Sequence, residues 1–389
     1  MTRSGALQRP GSQRALLALF VASVAVFADL YVTQPILPLL SHEFGVPAPT
    51  AALTISVVVL MIALFSNAYG PLADTYGRKP VMVASCAALA VPTALCAVAP
   101  TFPVLVGLRA LQGLLTPGFA AVAVAYIGDE YAGAALGPAV GSYVAASVLG
   151  GLTGRVASGW IASHFAWRTP FFVFGAITFL AAAGMALYLP ASSRSRSQSV
   201  GSAFREMAGH VRDRRLVGGL TIGFMVFFGF IAIFTYLPYY LTAPPFRLST
   251  ARVSGVYLVY LAGIGTSWLA GRAAERLGRR LIMGAGFVVA AAAAFGTLAP
   301  SVPAIVAALV VLCVGMFMVQ GTAPAFVNAT AREAKGGAGA LYTTFYYLGA
   351  TFGSVLPGYA WQAWGWPGVV GACVASFAAG VLAVIFLCA

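Results

Sequence analysis

Three ionisable side chains stand out because each lies inside an apolar stretch long enough to cross a membrane. They are Asp29, Arg109 and Arg155. An unpaired charge at the centre of a bilayer costs about 2.5–3.5 kcal/mol on insertion scales, so such groups normally pair or face water. Intramembrane charges also mark the pathways of protons, ions and substrates. These three residues are therefore the first candidates for a binding or proton-transfer site.

The place of each charge within its apolar stretch predicts similar depths for all three. At about 1.5 Å per residue, Arg109 and Arg155 lie about 10 Å below the outer surface, and Asp29 lies about 16 Å below it. We therefore predict a partly desolvated pair between Asp29 and Arg109 in a central cavity. Water access and substrate could switch the protonation of Asp29, because burial and a neighbouring cation act on it in opposite directions. The alternative is that the arginines only brace helices.

Arg155 is left over from the predicted pair and has two interpretations. Its guanidinium could hold an anionic or carboxylate-bearing substrate, or it could anchor a neutral or polyhydroxylated one by hydrogen bonds. Amide and aromatic side chains in apolar stretches are weaker candidates, since membrane helices also use them for packing. These further candidates for proton or substrate binding are Gln34, Gln112, Phe228, Tyr236, Gln320, Asn328, Tyr342 and Tyr346.

The composition excludes a soluble globular protein. Of 389 residues, 60% are hydrophobic and 8% are charged, whereas soluble domains carry about 25% charged residues. The net charge of +13 sits mainly in short loops between apolar runs, which fits membrane topology better than a nucleic-acid surface. The five cysteines lie in apolar stretches without C-x-x-C spacing, so we expect no disulfide framework, metal site or cofactor.

Twelve apolar segments are predicted to be transmembrane helices, because only helices and closed barrels satisfy every backbone group in lipid. The runs are too long and too uniformly apolar for barrel strands. With the N-terminus inside, most basic loop residues fall on the cytoplasmic side, which predicts that both termini are cytoplasmic. The predicted spans are 15–40, 50–70, 80–99, 102–127, 137–163, 168–189, 215–242, 250–271, 281–299, 301–328, 337–362 and 366–388.

An internal repeat divides the chain into two similar halves. The segment Gly70–Met82 resembles Gly271–Met283, at an offset of 201 residues, and Gly150–Trp160 resembles Gly349–Tyr359, at an offset of 199. Two separate segments with nearly the same offset indicate a duplicated six-helix unit, an architecture in which transporters bind substrate near the midplane. We therefore predict two pseudo-symmetric six-helix halves, 1–190 and 215–389, joined by a cytoplasmic linker, 191–214, that is polar and Ser-rich in its first part.

The loop Gly70-Pro-Leu-Ala-Asp-Thr-Tyr-Gly-Arg-Lys79 resembles the signature loop of the major facilitator superfamily, G-x-L-a-D-r-x-G-r-k. It lies between two predicted spans and is echoed in the second half. The resemblance implies that Asp74 holds a helix of the other half and keeps a cytoplasmic gate closed. It also implies that Arg78 pairs with Asp129 or Glu130. The gating residues expected from the resemblance are Gly70, Asp74, Gly77, Arg78, Lys79, Asp129, Glu130, Glu275 and Arg279.

A second motif resembles one branch of this superfamily. Arg109 to Gly113 reads R-A-L-Q-G, similar to the R-x-x-q-G pattern of proton-coupled drug efflux members. Those members usually carry Gly-Pro in the fifth span, where this chain has Gly154-Arg155. Overall the chain resembles the bacterial branch that exports drugs, sugars or small metabolites.

The leading prediction is a secondary transporter that exports a small organic compound, such as a drug, sugar or metabolite, by proton-coupled alternating access. No phosphate-binding G-x-x-x-x-G-K-[ST] sequence is present, so ATP is not expected to supply the energy. The alternatives are uptake or facilitated diffusion of a small metabolite, including an anionic one, and a membrane-embedded enzyme. With one deep carboxylate and no deep histidine, the sequence disfavours an enzyme. We expect a multi-pass protein of the bacterial inner membrane that works as a monomer with substrate, protons and lipid, without nucleic acid.

Overall fold

The computed structural model describes residues 10–191, 213–331 and 335–388, which form α-helices and short 3₁₀ turns without any strand. The 3₁₀ turns are Gln34–Ile36, Gly133–Ala135 and Tyr257–Val259. The helices are α1 (Pro10–Tyr31), α2 (Leu37–Phe44), α3 (Ala48–Ala51), α4 (Leu53–Tyr76), α5 (Arg78–Cys96), α6 (Phe102–Leu115), α7 (Pro117–Glu130), α8 (Leu136–His164), α9 (Thr169–Tyr188), α10 (Arg214–Thr242), α11 (Thr250–Val256), α12 (Tyr260–Leu277), α13 (Arg279–Gly296), α14 (Val302–Thr330) and α15 (Lys335–Phe386).

Within the described ranges, eleven helical segments are long and apolar enough to cross a membrane, which confirms the predicted all-helical membrane fold. The last segment, Gly336–Phe386, has 51 residues. It would extend about 76 Å as one helix, more than twice the hydrocarbon thickness of about 30 Å. Gly365 interrupts it with φ 62° and ψ −147°, between the predicted spans 337–362 and 366–388. The count of twelve spans and the cytoplasmic termini stay predictions.

The first predicted span, 15–40, contains a break that the apolar pattern did not indicate. Helix α1 ends at Tyr31, a 3₁₀ turn follows at Gln34–Ile36, and α2 begins at Leu37. Pro35 within this turn has no backbone N–H and disfavours helical backbone in the residue before it. Since the last four carbonyls of a helix lack partners within the helix, the break creates polar groups that must be satisfied beside Asp29.

Contacts group the described residues into two compact units. Of the described residues, 10–33 and 64–191 form the first unit, and 34–63, 213–331 and 335–388 form the second. Residues 34–63 thus pack with the second unit, where the Gln34 amide donates to Thr235 Oγ1 at 3.2 Å and Ser41 Oγ shares a 2.6 Å hydrogen bond with the Tyr239 hydroxyl. Of the predicted linker 191–214, residues 192–212 lie outside the described ranges.

The predicted repeat is visible in the backbone of the two short loops. Gly77 has φ 95° and ψ 143° and precedes α5, while Gly278, 201 residues later, has φ 91° and ψ 138° and precedes α13. A positive φ of this size is strained for a side-chain-bearing residue but open to glycine. The two loops therefore repeat the same turn, as the sequence offset indicated.

The second repeated segment packs by close backbone contact in both units. A Cβ at Gly154 of α8 would collide with the backbone of Ala28 in α1, and a Cβ at Gly353 of α15 would collide with the backbone of Phe228 in α10. Ala28 and Phe228 are themselves 200 residues apart, so the same glycine-mediated helix contact occurs in each unit. Small residues let membrane helices approach closely in this way.

Replacing Gly154 by leucine is expected to separate α1 from α8 and destabilise the fold. Overpacking of a tight contact costs about 1–3 kcal/mol, and here the obstacle is backbone, which cannot rotate away. We expect a lower melting temperature and a reduced monodisperse fraction in detergent. Gly141→Leu on the same helix is the matched control, because a Cβ at Gly141 meets nothing within 4 Å. Equal stability of the two variants would contradict this assignment.

Candidate functional site

Asp29 lies in the last turn of α1 with 1% of its surface exposed. One carboxylate oxygen, Oδ2, accepts hydrogen bonds from the hydroxyls of Thr178 at 2.9 Å and Thr93 at 3.2 Å. The other oxygen, Oδ1, is buried and has no hydrogen-bond partner among the described residues. The carboxylate is therefore fixed on one side by helices α5 and α9, and its second oxygen is left to accept a proton.

Arg109 is fully buried on α6 and binds the broken end of α1. Its Nη1 donates to the main-chain carbonyl of Asp29 at 2.9 Å, and its Nη2 donates to that of Leu30 at 2.8 Å. Both carbonyls belong to the last turn of α1, where intrahelical partners are missing. The planar guanidinium can serve two adjacent acceptors, which a single ammonium group cannot do with the same geometry. The contact expected between Asp29 and Arg109 thus runs through the Asp29 main chain, and the carboxylate is held by threonines.

Gln112 closes the arrangement into a ring of hydrogen bonds. Its side-chain oxygen accepts from Arg109 Nη1 at 2.6 Å, and its amide nitrogen donates to Thr93 Oγ1 at 2.7 Å. Thr93 Oγ1 lies 3.2 Å from Asp29 Oδ2 and 2.8 Å from its own helix at the Leu89 carbonyl. A hydroxyl has one hydrogen to donate, so Thr93 can turn between the carboxylate and the Leu89 carbonyl. The ring links Asp29 to the cation that caps its own helix.

Arg155 of α8 also lies at the α1 end and is 2% exposed. Its Nη1 donates to the Gly151 carbonyl at 2.7 Å, and its guanidinium carbon lies 3.6 Å from the centre of the Tyr31 ring. A cation over an aromatic face is stabilised by about 0.5–2 kcal/mol, more when water is excluded. The α1 end thus carries two buried cations, Arg109 on its carbonyls and Arg155 on its terminal tyrosine.

The signature loop of the first unit anchors two helix ends. Arg78 pairs with Asp129 at 2.5 Å and also donates to the Ala125 carbonyl, so of the two acidic partners expected from the resemblance the ion pair forms with Asp129. Lys79 donates to the Leu189 carbonyl at 2.5 Å, just after the end of α9. Cations at helix C-termini are favourable for the helix dipole.

The other residues expected in gating form no ion pair within the described ranges. Asp74 and Glu130 are partly buried, and a Cβ at Gly70 would meet nothing within 4 Å. Arg279 is the first residue of α13, and Glu275 is exposed in the last turn of α12. Their gating role stays a prediction.

The aromatic candidates of the second unit form a stack rather than a charged site. Tyr346 lies against Phe227 with ring centres 3.8 Å apart and planes 13° apart, and its hydroxyl donates to Gln320 Oε1 at 3.3 Å. Tyr342 stacks on Tyr346 at 6.0 Å. The Gln320 amide nitrogen and the Tyr342 hydroxyl are buried without a hydrogen-bond partner in the described part of the chain.

Three further sequence candidates make other contacts. Tyr236 is fully buried and donates to the Ser354 carbonyl at 2.7 Å, which braces α10 against α15. Phe228 stacks on Phe224 of the same helix. Asn328 is exposed near the end of α14. These three have packing or surface environments, and their place in a binding site stays a prediction.

With this geometry in view, sequence comparison decides the family. The sequence model of the Major Facilitator Superfamily matches residues 19–333 and again residues 253–388. The chain belongs to the major facilitator superfamily. It is 31% identical to the uncharacterized MFS-type transporter YybF of Bacillus subtilis over 364 residues, which covers 93% of this chain and 90% of YybF. Homology to this family makes it a multi-pass membrane transporter of bacterial type.

Two further similarities are limited, one to part of the chain and the other to the fold. The chain is 36% identical to the multi-drug resistance efflux pump PmrA of Streptococcus pneumoniae over 159 residues, 40% of each protein. A bacterial homologue of the human lysosomal transporter Spinster, solved in an inward-facing and unoccupied conformation, superposes with a TM-score of 0.78. That superposition covers 97% of this chain and 95% of the homologue at 17% identity, so it shows a shared fold.

Sequence reasoning missed the groups that hold the carboxylate of this transporter. Thr93 and Thr178 are fully buried in apolar helices, and nothing in their spacing separates them from other threonines. A helical threonine commonly bonds the carbonyl three or four residues earlier in its own helix, as Thr93 also does. Tyr31 was missed as well, although its position two residues after Asp29 places it at the end of the same helix.

Proposed function

We propose that this transporter exports a small organic compound in exchange for protons, with Asp29 as the proton-binding group. The observation that carries the proposal is the buried carboxylate with Oδ2 held by two hydroxyls and Oδ1 without a hydrogen-bond partner in the described residues. A proton on Oδ1 neutralises the carboxylate while Oδ2 keeps accepting from both threonines. The hydrogen bonds to Oδ2 can therefore persist when the carboxylate gains or loses its charge.

Proton binding at Asp29 would act on the helix end that Arg109 caps. Protonation of Asp29 raises the net charge of the α1 end by one unit, and this end already carries the buried cations Arg109 and Arg155. An uncompensated charge in the membrane is costly, so the protonated and ionised forms favour different arrangements of the α1 end. A ligand that favours one arrangement then competes with or assists the proton, which is the coupling that antiport requires.

Export is supported by the likeness of the matched region to an efflux pump. Side chains of the second unit suggest the chemistry of the substrate. The Phe227–Tyr346 stack provides an apolar flat face, while the Gln320 amide and the Tyr342 hydroxyl provide hydrogen-bond donors. Buried polar atoms normally have a partner, and water or ligand supplies it when protein does not. We therefore propose a flat, largely apolar substrate that carries hydrogen-bond acceptors.

The test is substrate-driven proton movement in proteoliposomes with a pH-sensitive dye inside. Purified protein is reconstituted and challenged with candidate drugs, sugars, amino acids and organic acids, with protein-free liposomes as the control. Proton flux opposite in direction to the substrate gradient is the expected result. Flux in the same direction would make the protein a symporter. Substrate movement without any proton flux would refute proton coupling and make it a uniporter or exchanger.

A further inference from the structure

A groove runs along the outside of the first unit between α1 and α9. The groove has a volume of about 290 Å³, with Leu17 and Val21 on one wall and Leu180 on the other. Leu17 is 64% exposed and Leu180 is 68% exposed. In a membrane-spanning protein such outward apolar side chains contact acyl chains, so the groove opens toward lipid.

Three small residues also line the groove, namely Ala18, Ala181 and Gly184. Gly184 of α9 lines it, and a Cβ added at Gly184 would meet nothing within 4 Å. Because Gly184 has no side chain, a recess is left at this position between α1 and α9. From Arg14 to Val21 the groove follows α1 for about 10 Å, which is a large part of the roughly 15 Å that one leaflet contributes to the hydrocarbon core.

One end of the groove is polar. Arg14, near the start of α1, and Tyr188, the last residue of α9, line the cavity together. Both lie at the same membrane surface, because one helix begins and the other ends there. Tyrosine is enriched at the membrane–water interface, and basic pockets between membrane helices bind anionic lipid headgroups. Among the described residues that line the cavity, Arg14 is the charged one.

We propose that this groove is a binding site for one anionic phospholipid. The phosphate lies against Arg14 and the Tyr188 hydroxyl, and one acyl chain lies over Gly184 between Leu17 and Leu180. The apolar recess binds an acyl chain of the lipid, and the positive charge of Arg14 favours a negatively charged headgroup. This site is separate from the Asp29 network, and it stands whether or not the transporter is coupled to protons.

Native mass spectrometry of the full-length protein tests the site. The protein is titrated with phosphatidylglycerol and with phosphatidylcholine of the same acyl chains. We expect one tight phosphatidylglycerol site, and weakening of about fivefold in Arg14→Gln, since a basic residue near an anionic surface is worth about 1 kcal/mol. In Gly184→Leu, which fills the recess, we expect reduced retention of both lipids at this site.

Matched controls separate the groove from general effects of charge and size. Arg276→Gln removes an exposed positive charge elsewhere, and Gly371→Leu adds the same side chain at another open glycine on α15. Both controls should bind as wild type, with unchanged melting temperatures in all four variants. Equal binding of the two lipids to wild type, or equal effects of variants and controls, would overturn the site. So would a dimer that Gly184→Leu abolishes, because a second copy would then be the occupant.

Discussion

Asp29→Asn is expected to abolish substrate-driven proton flux, reducing it to the level of protein-free liposomes. Asparagine keeps the size of the side chain and can still accept from the Thr93 and Thr178 hydroxyls at one oxygen, but it cannot bind and release a proton. Exchange of substrate across the membrane at equal pH should persist, because that process needs no net proton movement. Dye-detected proton flux and labelled-substrate exchange are measured on the same liposomes.

The matched control for this variant is Ser23→Ala on the same helix. Ser23 is fully buried and donates to the Leu19 carbonyl of α1, so its removal perturbs a buried polar group away from the carboxylate. It should leave coupled flux near the wild-type level. If Asp29→Asn kept coupled flux while Ser23→Ala behaved as wild type, the proton site would have to lie elsewhere. If both lost flux, helix distortion rather than proton chemistry would explain the loss.

Arg109→Gln is expected to cause the largest loss of stability among single changes at the network. It removes the donors to the Asp29 and Leu30 carbonyls, and each buried group left unsatisfied costs about 1–3 kcal/mol. Arg109→Lys should be intermediate, because one ammonium group replaces the charge without the two-pronged geometry. We expect the melting temperature in detergent to decrease from wild type to Arg109→Lys to Arg109→Gln. The rate of coupled transport should decrease in the same order.

A double-mutant cycle distinguishes capping from charge compensation at Arg109. If its only role is to satisfy carbonyls, the effects of Asp29→Asn and Arg109→Gln on stability should add. If the buried charges compensate each other, the double variant should be more stable than the sum of the single losses, by a coupling free energy within about 0.5–3 kcal/mol. Arg276→Gln, which removes an exposed arginine, is the control and should unfold as wild type. Wild-type stability in Arg109→Gln would contradict both roles.

The helical membrane fold could be predicted because lipid leaves the chain few choices. Long apolar runs must be helices, and the internal repeat appears as matching residues at offsets near 200. The structure repeats the same features, with the positive φ of Gly77 and Gly278 and the glycine contacts of Gly154 and Gly353. Local chemistry fixes each of these, since a tight turn and a backbone contact both require glycine.

The position of the buried charges was also readable from sequence, because a charge inside an apolar run is conspicuous. Asp29, Arg109 and Arg155 are all buried as predicted. Of the side chains that satisfy these charges, only Gln112 was among the sequence candidates. Two threonine hydroxyls, a glutamine, a tyrosine face and three main-chain carbonyls satisfy them, and residues or backbone groups of these kinds occur in most membrane helices.

The sequence by itself thus determined that this chain crosses the membrane many times as helices, in two related halves, with one deep carboxylate and two deep arginines. Only the tertiary structure decided that α1 breaks after Tyr31 and that Arg109 binds the carbonyls exposed by the break. It also decided that residues 34–63 pack with the second unit. The physical reason is that the free energy of burying a side chain in the membrane depends on the residue type, which can be read from the sequence. The hydrogen-bond partners of a buried group depend on which helices pack together, which only the tertiary structure shows.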